Sequence, residues 1–294
     1  MAGGHGLLGS ALADHLTAGG HDVVRLTRAG AGPAGWDPAA GRLDPAVLAG
    51  ADAVVNLGGA SLAAPWTAAH RARVESSRLE PTALLARTLA ELAATGEAPG
   101  VWLQASAVGW YGDRGEEILT EESGPGTGFL ADLCARWEAA TEPASAAGVT
   151  VTHLRTGVVL ARGGGALKPL VPVVRLGLGG PLGPGDNWWP WIALRDHVRS
   201  TAHLLTAALP GPVNLVGPTP TRQRDVIRAL AAYLRRPAFL RVPAPALRLV
   251  LREAADEMVL ASQRALPGRL AASGFEFADG ALPDAIHQVM ARRR

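Results

Sequence analysis

Cysteine is almost absent from this chain. Cys134 is the single thiol in 294 residues, so no internal disulfide can form, and the sequence fits a reducing compartment. No apolar run approaches the length of a membrane span. The N-terminus shows no basic segment followed by an apolar core, so no signal peptide is expected and the expected location is cytoplasmic. Charge of either sign is nearly balanced, at a formal net +2. The small arginine excess, part of it in Arg292-Arg293-Arg294, reads as a solvated tail and not as a nucleic-acid surface. No Gly-x-Ser-x-Gly elbow is present, and no lysine follows the glycine loop as it would in a nucleoside-triphosphate site. His197 and His203 stand six apart, off a common helical face, so no metal site is expected.

What is plentiful is apolar residues, 48% of the chain, and glycine, with 36 residues. The length suits one large α/β domain, or one with a smaller companion. Gly3, Gly6 and Gly9 form a G-x-x-G-x-x-G loop that runs into the helical pattern Ala11–Leu16. Glycine has no Cβ and tolerates positive φ, so such a loop lets backbone approach a dinucleotide pyrophosphate. The helix that follows points its free N–H groups at the phosphates, and Leu7 and Leu8 within the loop join the three glycines as cofactor-binding candidates. The loop normally follows a buried parallel strand. Here almost nothing precedes it, Met1 stands where a strand residue belongs, and the true start is expected several residues upstream.

Strand patterns cover His21–Thr27, Ala51–Leu57, Val101–Ser106 and Val149–Arg155, alternating with helical patterns over Thr67–Thr95 and Gly128–Ala147. The alternation predicts a Rossmann-type, doubly wound parallel sheet, with ligand contacts at the strands' carboxyl ends. The Gly/Pro-rich stretch 163–190 is too long for an ordinary connection and reads as a loop over the site, or else as a linker. Residues 1–234 are assigned to the sheet domain and 235–294 to a small, mainly helical C-terminal region.

The end of the second strand distinguishes the two nicotinamide dinucleotides. A site for the unphosphorylated form places a carboxylate there, on the ribose 2′-hydroxyl. This chain has Leu26-Thr27-Arg28 instead, and Arg28 suits a 2′-phosphate. The cofactor expected is therefore NADP(H). Asn56, Leu57, Gly58 and Gly59 end the next strand and would let the chain pass beside adenosine and pyrophosphate. Asp37 suits either the adenine edge or an Asp-Pro turn. Ser106 and Tyr111 follow the buried run at 101–105, at a strand's carboxyl end, where substrate would meet nicotinamide. Either hydroxyl is a candidate proton donor, and on that reading Tyr111→Phe abolishes turnover.

These residues carry a resemblance. With Trp66-Thr67, Ser77-Arg78, Phe129 through Trp137-Glu138, Arg155–Leu160, Gly164–Leu167, Leu176–Gly185, Trp191-Ile192, Gln263-Arg264 and Gly274–Phe277, the chain resembles the extended short-chain dehydrogenase/reductase superfamily. More narrowly, it is similar to the epimerase-like family that ends in a small C-terminal domain of unknown function. The resemblance implies NADP(H) binding, with Arg155 among the cofactor residues, and an epimerase- or reductase-type activity. It also implies a homodimer through the two long helices. The superfamily's Tyr-x-x-x-Lys pair is missing: alignment on Glu138 puts Leu130 at the tyrosine place and Cys134 at the lysine place. Ala193 and Arg195 depart from the polar and acidic residues that tend to follow Trp-Ile. Three readings stay open: an NADP(H)-dependent enzyme acting on a small carbonyl or sugar-nucleotide-like substrate, a non-catalytic NADP(H)-binding sensor or scaffold, and a chain that binds no cofactor.

Overall fold

The computed structural model describes residues 1–28 and 34–291, so the basic tail lies outside the described residues. The central sheet holds β4 (Ala53–Asn56), β5 (Val101–Ala107), β7 (Thr150–Thr156) and β12 (Gly211–Leu215), all parallel, in the order β12-β7-β5-β4. Each is rich in apolar or β-branched residues and is buried on both faces, as a sheet covered by helices requires. β1 (Thr27–Arg28), β2 (Gly35–Asp37) and β3 (Arg42–Leu43) form a smaller sheet beside it. Short strands β6 (Ile118–Leu119), β8 (Val158–Ala161), β9 (Gly164–Gly165), β10 (Trp188–Trp189), β11 (Trp191–Ala193), β13 (Thr221–Arg222) and β14 (Arg264–Ala265) knit the later chain together.

Met1 and Ala2 stand between the two larger sheets. Ala2 N–H donates to Val55, Leu57 N–H donates to the Ala2 carbonyl, and Leu26 N–H donates to the Met1 carbonyl. Ala2 is fully buried and bridges Asn56 in parallel. This is the central slot in which a first strand is expected, filled by two residues. The sequence reading of His21–Thr27 as a strand is corrected here, because only Thr27 within it is in a strand. A strand needs a ladder along its length, and before Thr27 it is Met1 that supplies the partner groups, accepting from Leu26 and donating its ammonium to the Val24 carbonyl.

The helices are α1 (Leu7–Ala18), α2 (Ala68–Ala94), α3 (Phe129–Ala139), α4 (Glu142–Ala146), α5 (Leu167–Arg175), α6 (Leu194–Ala207), α7 (Gln223–Leu234), α8 (Ala244–Leu251), α9 (Gly268–Ala272) and α10 (Leu282–Ala291). The Thr67 hydroxyl accepts from His70 N–H and starts α2. The single helix expected over 128–147 is two, split before Glu142-Pro143, where proline suits a helix start but not an interior. The 163–190 stretch is not all loop. It holds α5, which buries Leu167, Val171 and Val174. Its glycine-rich part pairs with the C-terminal region instead: Gly183 N–H donates to the Val242 carbonyl, and Val242 N–H to the Pro181 carbonyl. One apolar cluster joins α5, α7 and α10 through Leu167, Ile227, Leu230, Ile286 and Met290, so the core crosses residue 235. Among the described residues, no helix is long and apolar enough to cross a membrane.

His197 on α6 is 1% exposed, and its Nε2 lies 3.1 Å from the Thr156 hydroxyl. Burial pushes its pKa down to about 4, from an ordinary value of about 6.5. The folded state therefore favours neutral imidazole. The associated stability is complete above pH ~6.5 and is lost as the pH falls towards 4, a difference of about 3 kcal/mol. Denaturant titrations between pH 7 and pH 4 should show this loss, and His197→Gln should flatten it.

Candidate active site

The glycine loop has the geometry that its sequence implies. Gly3 has φ +73°, and a Cβ there would lie 2.6 Å from Gly58 N and Leu57 C. A Cβ on Gly9 would overlap the Gly3 carbonyl. The two glycine segments, 3–9 and 57–59, therefore pack backbone to backbone, which only glycine permits. Gly6 caps α1 without a side chain, so the N–H groups around Leu7, Leu8 and Gly9 are not taken up by a capping oxygen. Asn56 is 1% exposed and shapes the second segment: its Oδ1 accepts from Gly58 N–H at 3.1 Å, and its Nδ2 donates to Gln104 at 3.0 Å. Arg78 lies under Gly59 and donates to the Ala60 and Val74 carbonyls.

Beyond the end of β1 a cleft of about 910 Å³ opens, lined by Arg28, Trp36, Asp37, Arg42, Arg73 and Ser76, among others. Arg28 is exposed and makes no salt bridge among the described residues. Asp37 stands at the edge of this cleft and at a turn. It lines the cleft, and it holds a turn, accepting from Ala40 N–H and, at 2.6 Å, from Arg42. The cofactor candidates Gly3, Gly6, Leu7, Leu8, Gly9, Asn56, Leu57, Gly58 and Gly59 are thus brought together, and Arg28 and Asp37 share the neighbouring cleft.

Ser106, Tyr111 and Arg155 are placed elsewhere, in a buried polar cluster. Arg155 is 2% exposed. Its Nε and Nη2 donate to the two Glu138 oxygens, both at 2.9 Å. The Ser106 hydroxyl donates to the same carboxylate at 2.6 Å. Tyr111 has no exposed surface; its hydroxyl donates to Asn214 Oδ1 at 2.7 Å and accepts from Arg155 at 3.2 Å. Arg155 also stacks on Trp110, 3.9 Å from the ring centroid. Burial pushes the Tyr111 phenol up, with Arg155 opposing in part. The Ser106 and Tyr111 hydroxyls, expected as proton donors, are buried and bonded within this cluster, and the Arg155 guanidinium, expected at the cofactor, is paired with Glu138.

The open space near these residues is a second cavity of about 350 Å³, at the carboxyl end of β5 and the start of α3. Gly109, Asp113, Leu130, Arg248, Asp256, Glu257 and Gln263 line it, with others. Leu130 stands at the expected tyrosine place. Cys134, at the lysine place, is 3% exposed, and burial pushes its thiol up to about 12, so it serves as a small core residue. Glu257 reaches across from the C-terminal region: its two oxygens accept from Phe129 N–H and Leu130 N–H at 2.9 and 2.7 Å. Neither Glu257 nor Gln263 was expected as a site residue. They lie in a segment with no strong periodicity, and only the fold brings it to β5. Arg195, the charge departure after Trp191-Ile192, pairs with buried Asp279 at 2.6 Å and fastens the 278–279 turn. Among the described residues, no group of His, Cys, Asp or Glu could hold a metal ion.

The fold and the glycine geometry define a Rossmann-type dinucleotide-fold protein, and comparison with known proteins narrows this. Residues 1–217 match the NAD dependent epimerase/dehydratase family, and residues 242–289 match a domain of unknown function, DUF1731. The chain belongs to that epimerase/dehydratase family. An epimerase family protein of Mycobacterium bovis is 39% identical over 291 residues, covering 97% of this chain and 95% of the relative. The bovine epimerase family protein SDR39U1 is 36% identical, with 99% of each chain covered. Among solved structures, human SDR39U1 with NADPH superposes with a TM-score of 0.86 at 30% identity, covering 99% of this chain and 98% of that one.

The buried cluster predicts how variants behave. Tyr111→Phe should cost about 1–3 kcal/mol by leaving Asn214 Oδ1 without its donor, while changing cofactor affinity little. Glu138→Ala should cost more, about 3–5 kcal/mol, because it strands a buried guanidinium. Chemical denaturation of the two variants beside the parent protein checks both values. A Tyr111→Phe protein of parental stability would show that the hydroxyl is not bonded as described.

Proposed function

We propose that this chain is an NADP(H)-dependent oxidoreductase or epimerase-like enzyme acting on a small carbonyl or sugar-nucleotide-like substrate. The observation that carries the reading is the close backbone packing of Gly3 and Gly9 with the 57–59 segment, which leaves no room for a Cβ and sets the glycine loop at the start of α1, where no side chain caps the first N–H groups. Its chemistry suits a pyrophosphate. Arg28 at the mouth of the adjoining cleft suits a 2′-phosphate, and human SDR39U1, similar over the whole chain, has been crystallised with NADPH. When bound, NADP(H) supplies or accepts the hydride, and the protein supplies position and electrostatics. On this reading residues 1–234 hold the cofactor and 235–294 close the substrate side. Ser106, Tyr111 and Arg155 act as positioning residues, fixing the β5 end and the start of α3 around the cavity.

A second reading, a non-catalytic NADP(H)-binding sensor or scaffold, draws support from one feature: the cavity residues named above include no tyrosine and no lysine. Consumption of NADPH with any carbonyl or sugar substrate argues against it. Tight binding without consumption across a broad panel favours it.

Arg28→Ala should weaken NADPH roughly ten- to hundredfold, the size of a charge-assisted contact, and leave NADH affinity unchanged. Isothermal titration with both dinucleotides measures this. Equal losses for the two would remove Arg28 from 2′-phosphate recognition. Native mass spectrometry of freshly purified protein would show directly which dinucleotide it carries.

A further inference from the structure

The cavity at the β5 end has a charge pattern of its own. Asp113, Asp256 and Glu257 line it, and the cation among the lining residues is Arg248. That guanidinium is already taken: Arg248 Nε and Nη2 donate to Asp256 Oδ1 at 2.9 and 2.8 Å. The other two carboxylates are held by backbone. Asp113 accepts from Gly115 N–H and Ser262 N–H. Glu257 accepts from Phe129 N–H and Leu130 N–H. The start of α3 is where an anion entering this cavity would otherwise find backbone donors, and the protein's own carboxylate occupies it.

One lining group is left over. Gln263 is 8% exposed, and its side-chain amide has no hydrogen-bond partner among the described residues. Its amide atoms are not among the fully buried polar atoms that lack a partner, which fits an amide at the surface of the cavity that the residue lines. It offers one acceptor and two donor hydrogens, a match for a hydroxyl, a carbonyl or an amine. The cavity volume of about 350 Å³ lies at the low end of ligand pockets, which run from roughly 300 to 1,000 Å³.

We propose that this cavity is the substrate site and that it takes a small uncharged or cationic molecule bearing a hydroxyl, carbonyl or amine, read by Gln263, and not a nucleoside-diphosphate sugar. The proposal rests on the reading of the chain as an NADP(H)-binding protein of this family, and it narrows that reading. A diphosphate would bring negative charge against three carboxylates, with the one lining guanidinium already paired and the helix start closed by Glu257. Desolvating such a group without a cation or free N–H donors is unfavourable. An amine or polyol meets the opposite situation: carboxylate acceptors on several sides and an amide to fix its orientation.

The test is a charge-sorted fragment panel on the NADPH-loaded protein, read by saturation-transfer NMR. It would include UDP-glucose, UDP-glucuronate, glucosamine, glucose and small hydroxyketones and aminoalcohols. The same panel is run on Gln263→Leu and Gln263→Met, both checked for parental melting temperature. Binding of uncharged or cationic members should weaken at least tenfold in both variants, with NADPH affinity unchanged. The nucleotide sugars should show no binding that Gln263 affects. Gln263-sensitive binding of either nucleotide sugar, or no Gln263-sensitive binding by any member, overturns the proposal. Failure of the parent protein to bind NADPH in the same titrations would instead overturn the cofactor reading beneath it.

Discussion

The ion pair between Arg155 and Glu138 is the constraint from which much of this structure follows. Both side chains are nearly water-free, 3% and 7% exposed, and charges so placed are tolerated only when fully paired and hydrogen-bonded. Satisfying them draws in partners from distant parts of the chain. Ser106 at the end of β5 bonds Glu138 on α3, while Tyr111 links Arg155 on β7 to Asn214 on β12. Asn214 in turn donates to the Leu266 carbonyl, and Glu121 accepts from Asn214 N–H and Arg269 N–H. One network therefore ties the parallel sheet to the C-terminal region. Such a pair adds little net stability over an apolar core of equal volume, yet removing one member is costly, so it acts chiefly to hold these elements in one arrangement.

That arrangement decides what remains for chemistry. The hydroxyls at the β5 end are consumed in holding the network, and Leu130 and Cys134 offer no proton donor from α3. Polar groups in the neighbouring cavity come instead from the loop after Tyr111 and from the C-terminal segment, as Asp113, Asp256, Glu257 and Gln263. Glu257 has a double part. By accepting from the first N–H groups of α3 it satisfies donors that a helix start leaves open. By doing so from residue 257 it locks the C-terminal region onto the sheet domain. The glycine-rich segment 177–185 completes the closure: it is fastened to Val242, and Gly180 and Gly183 lie against Leu240 and Leu260 at distances that leave no room for a Cβ.

The parts of this that could be read from sequence are those that backbone and periodicity dictate. The strands ending at Asn56, at Ala107 and at Thr156 are short apolar runs, and the long helix over 68–94 carries its cap at Thr67. The glycine cradle was legible because its requirement is the absence of a side chain, which spacing alone reveals. The reading of 21–27 as a strand was wrong, since a strand depends on its neighbour, and only Val24 and Leu26 in this run bond to Met1 beside it. The helix at 167–175 was hidden by Pro169 and Pro172, and its place in the core depends on α7 and α10, distant in sequence. The burial of Ser106 and Tyr111 was not legible for a related reason. A hydroxyl at a strand's carboxyl end is a candidate for catalysis by position, but whether it faces a ligand or a buried arginine depends on strand pairing that brings Arg155 opposite Ser106.

The two halves of the site therefore stand on different physical footings. The half proposed to hold the cofactor is built from main-chain N–H groups and close-packed glycines, with Arg28 beside it in the cleft, and backbone contacts of this kind do not depend on which chemistry follows. The half proposed to hold the substrate is lined mostly by side chains, with leucine and cysteine at the places where the superfamily resemblance leads one to expect tyrosine and lysine. A fold can keep the first while the second changes. In this chain the Arg155–Glu138 pair joins β7 to α3, and Glu257 covers the start of α3. The charge of the cavity comes from Asp113, Asp256, Glu257 and the paired Arg248, so its ligand preference follows from their charge and from hydrogen-bonding capacity.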